Sequence, residues 1–340
     1  MKKSFASDNY SGVHQKILEK IIEVNNGHVS AYGADEITQE AIECFKDIFG
    51  DVEVFFVFNG TGANVLALEG MKARASAVIT PENAHIVQDE TGAPSKITGM
   101  QLLTVPSTDG KLDLEAAKKW LTFKNNFHKP KAEIISISQT TEYGTVYTLD
   151  EIKAISNFAK ENNMLLHMDG ARISNAAVAL GCSFKEMTGD LGVDVLSFGG
   201  TKNGLMFGEA LIFFNKELAK EFSWIRKQNL QLYSKMRFMS AQFIPYIKNN
   251  IWFECAKNAN DIAQYLKLEL EKIEIPVTKE VLANAVFAIL PKEIISELQK
   301  SFYFYIWNEN IHEVRLVTSF DSTKEDVDNF IKKIKELLGK

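Results

Sequence analysis

Cysteine is scarce: Cys44, Cys182 and Cys255 are the only three in 340 residues. They are odd in number, far apart and form no CxxC pair, so neither a disulfide framework nor a metal finger is expected, and a reducing cytoplasm fits. Proline is also rare, at 7 against 20 glycines, which excludes collagen-like repeats and proline-rich disorder. No basic excess exists, because 38 Lys and Arg face 44 Asp and Glu for a net charge of −6. A nucleic acid partner is therefore not expected. No apolar run approaches the ~18 residues that a membrane span needs. Met1-Lys2-Lys3 leads to Ser7-Asp8-Asn9 in place of a hydrophobic signal core, so an unexported cytoplasmic protein with no membrane partner is expected. At roughly 100 to 200 residues per domain the length allows two domains.

Short β-rich runs alternate with helical periodicity through the first two-thirds, the pattern of a mostly parallel sheet covered by helices. Seven runs read as strands: Val52 to Phe58, Ala77 to Thr80, Gln101 to Val105, Glu133 to Ser138, Met164 to Met168, Val193 to Phe198 and Glu209 to Phe214. Val13 to Ile22 reads as an amphipathic helix, and Asp150 to Asn162 as another, with Thr148 and Glu151 as its capping box. After Asn215 long helices are expected from Glu217 through Lys248 and from Asn249 through Ile273. Strands follow at Ala285 to Leu290 and Val314 to Thr318. Ser322 and Glu325 are placed to cap a last helix ending near Leu338. The reading is a large α/β domain over residues 1–248 and a small α/β domain over 249–340.

Three segments carry chemistry. Asn59-Gly60-Thr61-Gly62-Ala63-Asn64 joins a buried strand to a helix, where glycines and free N–H groups suit a phosphate. A ligand-free turn would use the same glycines. His167-Met168-Asp169-Gly170-Ala171-Arg172 puts an acid at a strand's carboxyl end, where open α/β sheets bind ligands. That carboxylate needs a cationic partner, either Arg172 or a protonated heterocyclic nitrogen. Phe198-Gly199-Gly200-Thr201-Lys202-Asn203-Gly204 places a lone lysine at a second strand end, hemmed by glycines. Partial burial there makes an amine nucleophilic toward an aldehyde. Phosphate cradle, strand-end acid and strand-end lysine together are the parts that hold pyridoxal 5'-phosphate.

Further blocks complete a resemblance along nearly the whole chain: Ser7-Asp8-Asn9, Tyr32-Gly33, Ala84-His85-Ile86, Asp89-Glu90-Thr91-Gly92-Ala93-Pro94, Ser234-Lys235-Met236-Arg237-Phe238 and Arg315-Leu316-Val317-Thr318-Ser319. The chain resembles the threonine aldolase and β-eliminating lyase family of fold-type-I pyridoxal phosphate enzymes, in its low-specificity L-threonine aldolase branch. The resemblance implies a transferase-like large domain with a mostly parallel seven-stranded sheet, and aldol cleavage of L-threonine, L-allo-threonine and related β-hydroxy-α-amino acids to glycine and an aldehyde. It makes Lys202 the Schiff-base lysine, Asp169 the partner of the ring nitrogen and His85 the residue stacked on the ring. Gly60, Thr61 and Gly62 become the phosphate cradle. Arg172 would reach the ring hydroxyl or the substrate carboxylate, with Ser7, Tyr32 and Arg315 also on the substrate. Lys235 and Arg237 resemble residues that reach a neighbouring subunit's phosphate, which implies a homo-oligomer, a tetramer built as a dimer of dimers. No metal is implied. Many relatives carry a histidine where this sequence has Glu142, so His85, Glu142 and a phosphate-bound water all stand as bases for the hydroxyl proton. The usual Tyr-Gly-Asp-Asp block reads Tyr32-Gly33-Ala34-Asp35 here. A β-eliminating lyase on serine, cysteine or aromatic amino acids, and a non-catalytic scaffold of the same fold, are the alternative functions.

Overall fold

All seven apolar runs become strands of one sheet: β1 Glu53–Val57, β2 Ser76–Pro81, β3 Gln101–Val105, β4 Lys131–Ser138, β5 Leu165–Gly170, β6 Val195–Phe198 and β7 Glu209–Phe213. The computed structural model describes residues 3–74, 76–123 and 126–339. Met1 and Lys2, part of the start read above against a signal core, lie outside them. The strand order is β1-β7-β6-β5-β4-β2-β3, with β7 antiparallel to both neighbours and every other pair parallel. Side chains alternate across a strand, so adjacent apolar residues feed opposite faces. Ile79, Ile135, Leu196 and Ile212 enter one apolar cluster, while Val78, Ile134, Val195 and Leu211 enter the other. Burial on both faces is why these strands read as continuous apolar runs instead of alternating ones.

A second sheet, ordered β8-β10-β9, is antiparallel and consists of β8 Ala285–Ile289, β9 Tyr305–Asn308 and β10 Glu313–Val317. The helix Ile251–Lys272 ties the two bodies together. Its Ile251 and Cys255 lie in the large core, and its Ile262, Leu266 and Leu270 in the small one with Phe330. Phe5 packs in that small core as well, and its N–H donates to the Tyr303 carbonyl at 2.8 Å. Ile17, in the helix Gln15–Glu23, lies in the large core, so the N-terminal segment reaches both bodies.

Two local expectations fail. The helix expected from Glu217 through Lys248 is broken into Phe222–Gln228, Met236–Ser240 and Phe243–Lys248 after a 3-10 turn at Lys216–Ala219. Asn229 donates its side-chain amide to the Ile225 carbonyl, and Leu230 turns to φ 64°, where the helix stops. The Gln231 side chain then accepts the Phe58 N–H at 2.8 Å, so this loop is held by a tertiary contact. The last helix, Lys324–Leu338, is capped by Thr323 and Asp326, one residue beyond the expected Ser322 and Glu325. Ser322 accepts the Ser319 N–H instead. The Thr148–Glu151 capping box forms on Leu149–Glu161 as read.

Candidate active site

The carboxyl ends of β2, β4, β5 and β6, and of β1 lying in the same sense, meet at one edge of the sheet, and each delivers a residue with a chemical role. His85 follows β2, Glu142 follows β4, Asp169 closes β5, Lys202 follows β6, and Gly60 opens the helix Gly60–Met71 after β1. A cavity of about 360 Å³ is lined by Gly60, Thr61, His85, Thr201, Lys202 and Glu209 among others. Lys202 is half-buried and no hydrogen bond holds its amine among the described residues.

The turn after β1 is built as an anion site. Asn59 caps the helix by accepting the Gly62 N–H at 2.8 Å, and the Ala63 N–H goes to the Asn59 carbonyl at 2.9 Å. The N–H groups of Gly60 and Thr61 have no acceptor among the described residues and stand at the positive end of the helix dipole, where an anion would be stabilised. Gly62 therefore does not offer its own N–H, contrary to the expectation. Its missing Cβ is needed because the Gln231 amide lies against it, with the nearest atoms 2.7 Å from where a Cβ would stand.

Asp169 is buried and, among the described residues, its carboxylate is bound only by neutral donors: Ala171 N–H at 2.9 Å and Asn64 Nδ2 at 2.8 Å. Arg172 is not its partner. The guanidinium donates from Nε and Nη2 to the two oxygens of Asp8, at 2.7 and 2.9 Å. Burial alone would raise the Asp8 carboxyl, yet the Arg172 charge and hydrogen bonds hold it below the usual range. Asn284 Nδ2 adds a third donor to Asp8 at 3.0 Å. Asn64 also donates to Glu90 Oε1 at 2.9 Å, and the same oxygen meets His85 Nδ1 at 2.8 Å. Burial lowers the His85 pKa, but the Glu90 hydrogen bond and the charges of Glu142 and Asp169 outweigh it, so His85 holds its proton to higher pH than usual.

Arg315 enters from β10 of the small sheet, its guanidinium 4.9 Å from the Trp307 ring and 4.0 Å from Glu142 Oε2. The latter distance is too long for a hydrogen bond. Its Nε is buried without a partner, and burial together with the like charge of Arg172 lowers its pKa. An under-satisfied guanidinium beside a second one is a site for a carboxylate. Ser7, in the N-terminal turn, accepts the Asn9 N–H at 3.2 Å close to Asp8.

The model of the beta-eliminating lyase family matches residues 4–293 of this chain. The chain belongs to that family. It is 43% identical over 307 residues to a low specificity L-threonine aldolase of a Pseudomonas species, covering 88% of each chain. It is 41% identical to the Pseudomonas aeruginosa low specificity L-threonine aldolase over 98% of each. The solved structure of Leishmania major threonine aldolase superposes with a TM-score of 0.94 at 31% identity, covering 99% of both chains. The seven-stranded architecture is the fold-type-I arrangement of these beta-eliminating lyase relatives.

Three residues expected in the site of this family stand apart from the Lys202 cavity of their own chain. Lys235 and Arg237 line a separate hollow of about 310 Å³ with residues 27–31, and Arg237 donates to the carbonyls of Asn26 and Gly27 at 3.2 Å. Tyr32, half-exposed, lines another hollow with Phe58, Leu230 and Tyr233. Asp8, Asn64, Glu90 and Glu209 were missed as site residues. Asp8, Asn64 and Glu90 all stand in motifs of the chain, but Asp8 meets Arg172, and Asn64 meets Asp169 and Glu90, only through the fold.

Proposed function

We propose that this chain is a pyridoxal phosphate-dependent aldolase that cleaves L-threonine, L-allo-threonine and related β-hydroxy-α-amino acids to glycine and an aldehyde. The observation that carries this reading is Asp169, a buried carboxylate with only neutral donors among the described residues, one of which, Ala171, lines the cavity that holds the unpaired Lys202 and the helix N–H groups of Gly60 and Thr61. A buried anion of this kind is stabilised by a cation, and a protonated pyridine nitrogen fits where Arg172 is already taken by Asp8. Pyridoxal phosphate supplies an aldehyde and a ring that accepts the electrons of the breaking Cα–Cβ bond.

Lys202 would hold the cofactor through its aldehyde, and Asp169 would keep a proton on the ring nitrogen. Gly60 and Thr61 would hold the phosphate with their N–H groups. Arg315 grips the substrate carboxylate, with Ser7 beside it and Arg172 fixed behind it by Asp8. His85, whose Nδ1 is held by Glu90, would cover the ring. Glu142 takes the hydroxyl proton, since its carboxylate has no hydrogen-bond donor among the described residues and lies near the charges of Arg315, Arg172 and His85. Tyr32, Lys235 and Arg237 complete the site of a second subunit in a homo-oligomer.

Purified protein incubated separately with threonine and with serine should release acetaldehyde and glycine from threonine. Pyruvate from serine without acetaldehyde from threonine would instead establish β-elimination, and the absence of both products would establish a scaffold.

A further inference from the structure

Glu209 is a buried acid of the Lys202 cavity that the chemistry above leaves without a task. It opens β7, the antiparallel neighbour of β6, and so lies beside the turn by which the chain leaves β6. Its Oε2 accepts the Gly200 N–H at 2.6 Å. Thr201 also hydrogen-bonds it, while the Thr201 hydroxyl donates to the Gly208 carbonyl at 3.4 Å. Little else in the turn can give, because a Cβ on Gly199 would overlap the Ala171 backbone and one on Gly200 the Leu205 side chain. Burial pushes the Glu209 carboxyl up to about 7, while its hydrogen bonds and the Lys202 charge act in the opposite sense.

We infer that Glu209 is a positioning residue for Lys202, holding the Gly200–Lys202 turn against β7 and setting a buried negative charge beside the lysine's amine. The inference rests on the reading of Lys202 as the amine that captures the cofactor's aldehyde. Lys202 also feels Asp8 from the N-terminal 3-10 turn and His85 from the helix His85–Gln88, and Glu209 feels Tyr246 from the helix Phe243–Lys248. None of these groups is altered by the variants below.

The test mixes the full-length apoprotein with pyridoxal phosphate between about pH 6 and pH 10, where amines titrate, reduces the mixture with borohydride, and measures the labelled Lys202 peptide by mass spectrometry. Glu209→Gln keeps an acceptor for the Gly200 N–H but loses the charge that favours the unreactive ammonium, so half-maximal labelling should move about one pH unit lower. Glu209→Asp keeps the charge but not the reach. Its half-point should stay with the parent's while its affinity for pyridoxal phosphate, read by absorbance titration, falls about tenfold. Coincident pH profiles for the parent and Glu209→Gln would overturn the inference. So would an unchanged affinity, or a shifted half-point, in Glu209→Asp. Lack of label on Lys202 in the parent would overturn the cofactor reading itself, and the inference with it.

Discussion

Glu142 faces Arg315 across 4.0 Å, close enough to feel its charge and too far to be locked by it. No hydrogen bond ties that carboxylate among the described residues, whereas the Nδ1 of His85 is engaged by Glu90, whose hydrogen bond helps to raise the His85 pKa. Glu142→Gln should therefore lower kcat for threonine cleavage by roughly 10 to 10³ with cofactor absorbance intact. A pH series of kcat that matches the parent would move the task to a water on the phosphate. His167 makes a contrasting point about stability. It is fully buried in β5 between the hydroxyls of Ser136, at 2.9 Å, and Ser197, at 3.0 Å, and burial pushes its pKa down to about 4. The unfolded chain protonates an ordinary histidine near ~6.5 while the folded one stays neutral, so between those values the unfolded state binds more protons and stability falls as pH falls. This one group should cost about 3 kcal/mol from pH ~6.5 down to pH ~4. Urea unfolding of His167→Gln across that window should show a correspondingly flatter dependence.

Two helix starts of like local chemistry have different consequences. Asn59 caps Gly60–Met71 and Thr323 caps Lys324–Leu338, each accepting a backbone N–H three residues on. Loss of either cap should cost about 1 kcal/mol in unfolding free energy. Only Asn59 stands on the cavity wall with the free N–H groups of Gly60 and Thr61 beside it. Asn59→Ala should therefore also weaken pyridoxal phosphate binding in an absorbance titration, and Thr323→Ala should leave it unchanged. Equal cofactor affinity in the two variants would contradict the phosphate role of that turn.

The molecule as a whole divides its chemistry between a rigid sheet edge and what is brought to it. The large sheet supplies Lys202, Asp169, His85 and Glu142, whereas Arg315 arrives on the small sheet, which the helix Ile251–Lys272 fixes by lying in both cores. Arg237 and Lys235 line a hollow of their own, outside the Lys202 cavity of the same chain. If they serve a neighbour's cofactor, mixing inactive Lys202→Ala with inactive Arg237→Ala protein should restore part of the activity through hybrid sites. No recovery after subunit exchange, confirmed by mass spectrometry of the mixed oligomers, would place Arg237 outside any partner's site.

The sequence by itself determined the seven strands of the large sheet, their burial on both faces and the three strand-end segments that carry Gly60, Asp169 and Lys202. These are local properties: apolar runs bounded by glycines, and reactive residues placed where a strand must stop. The tertiary structure alone decided who meets whom. Asp8 reaches Arg172 across 164 residues, Asn64 reaches Asp169 across 105, and Glu209 meets Gly200 because β7 turns back antiparallel beside β6. The sequence left Arg172 open as an ion-pair partner for Asp169, and the fold gave it to Asp8 instead. The broken helix between Glu217 and Lys248 has the same origin, since the Gln231 contact that anchors its loop joins segments 173 residues apart. A buried charge or amide takes its partner from strand order and the closure of long loops, which leave no periodic trace in the chain.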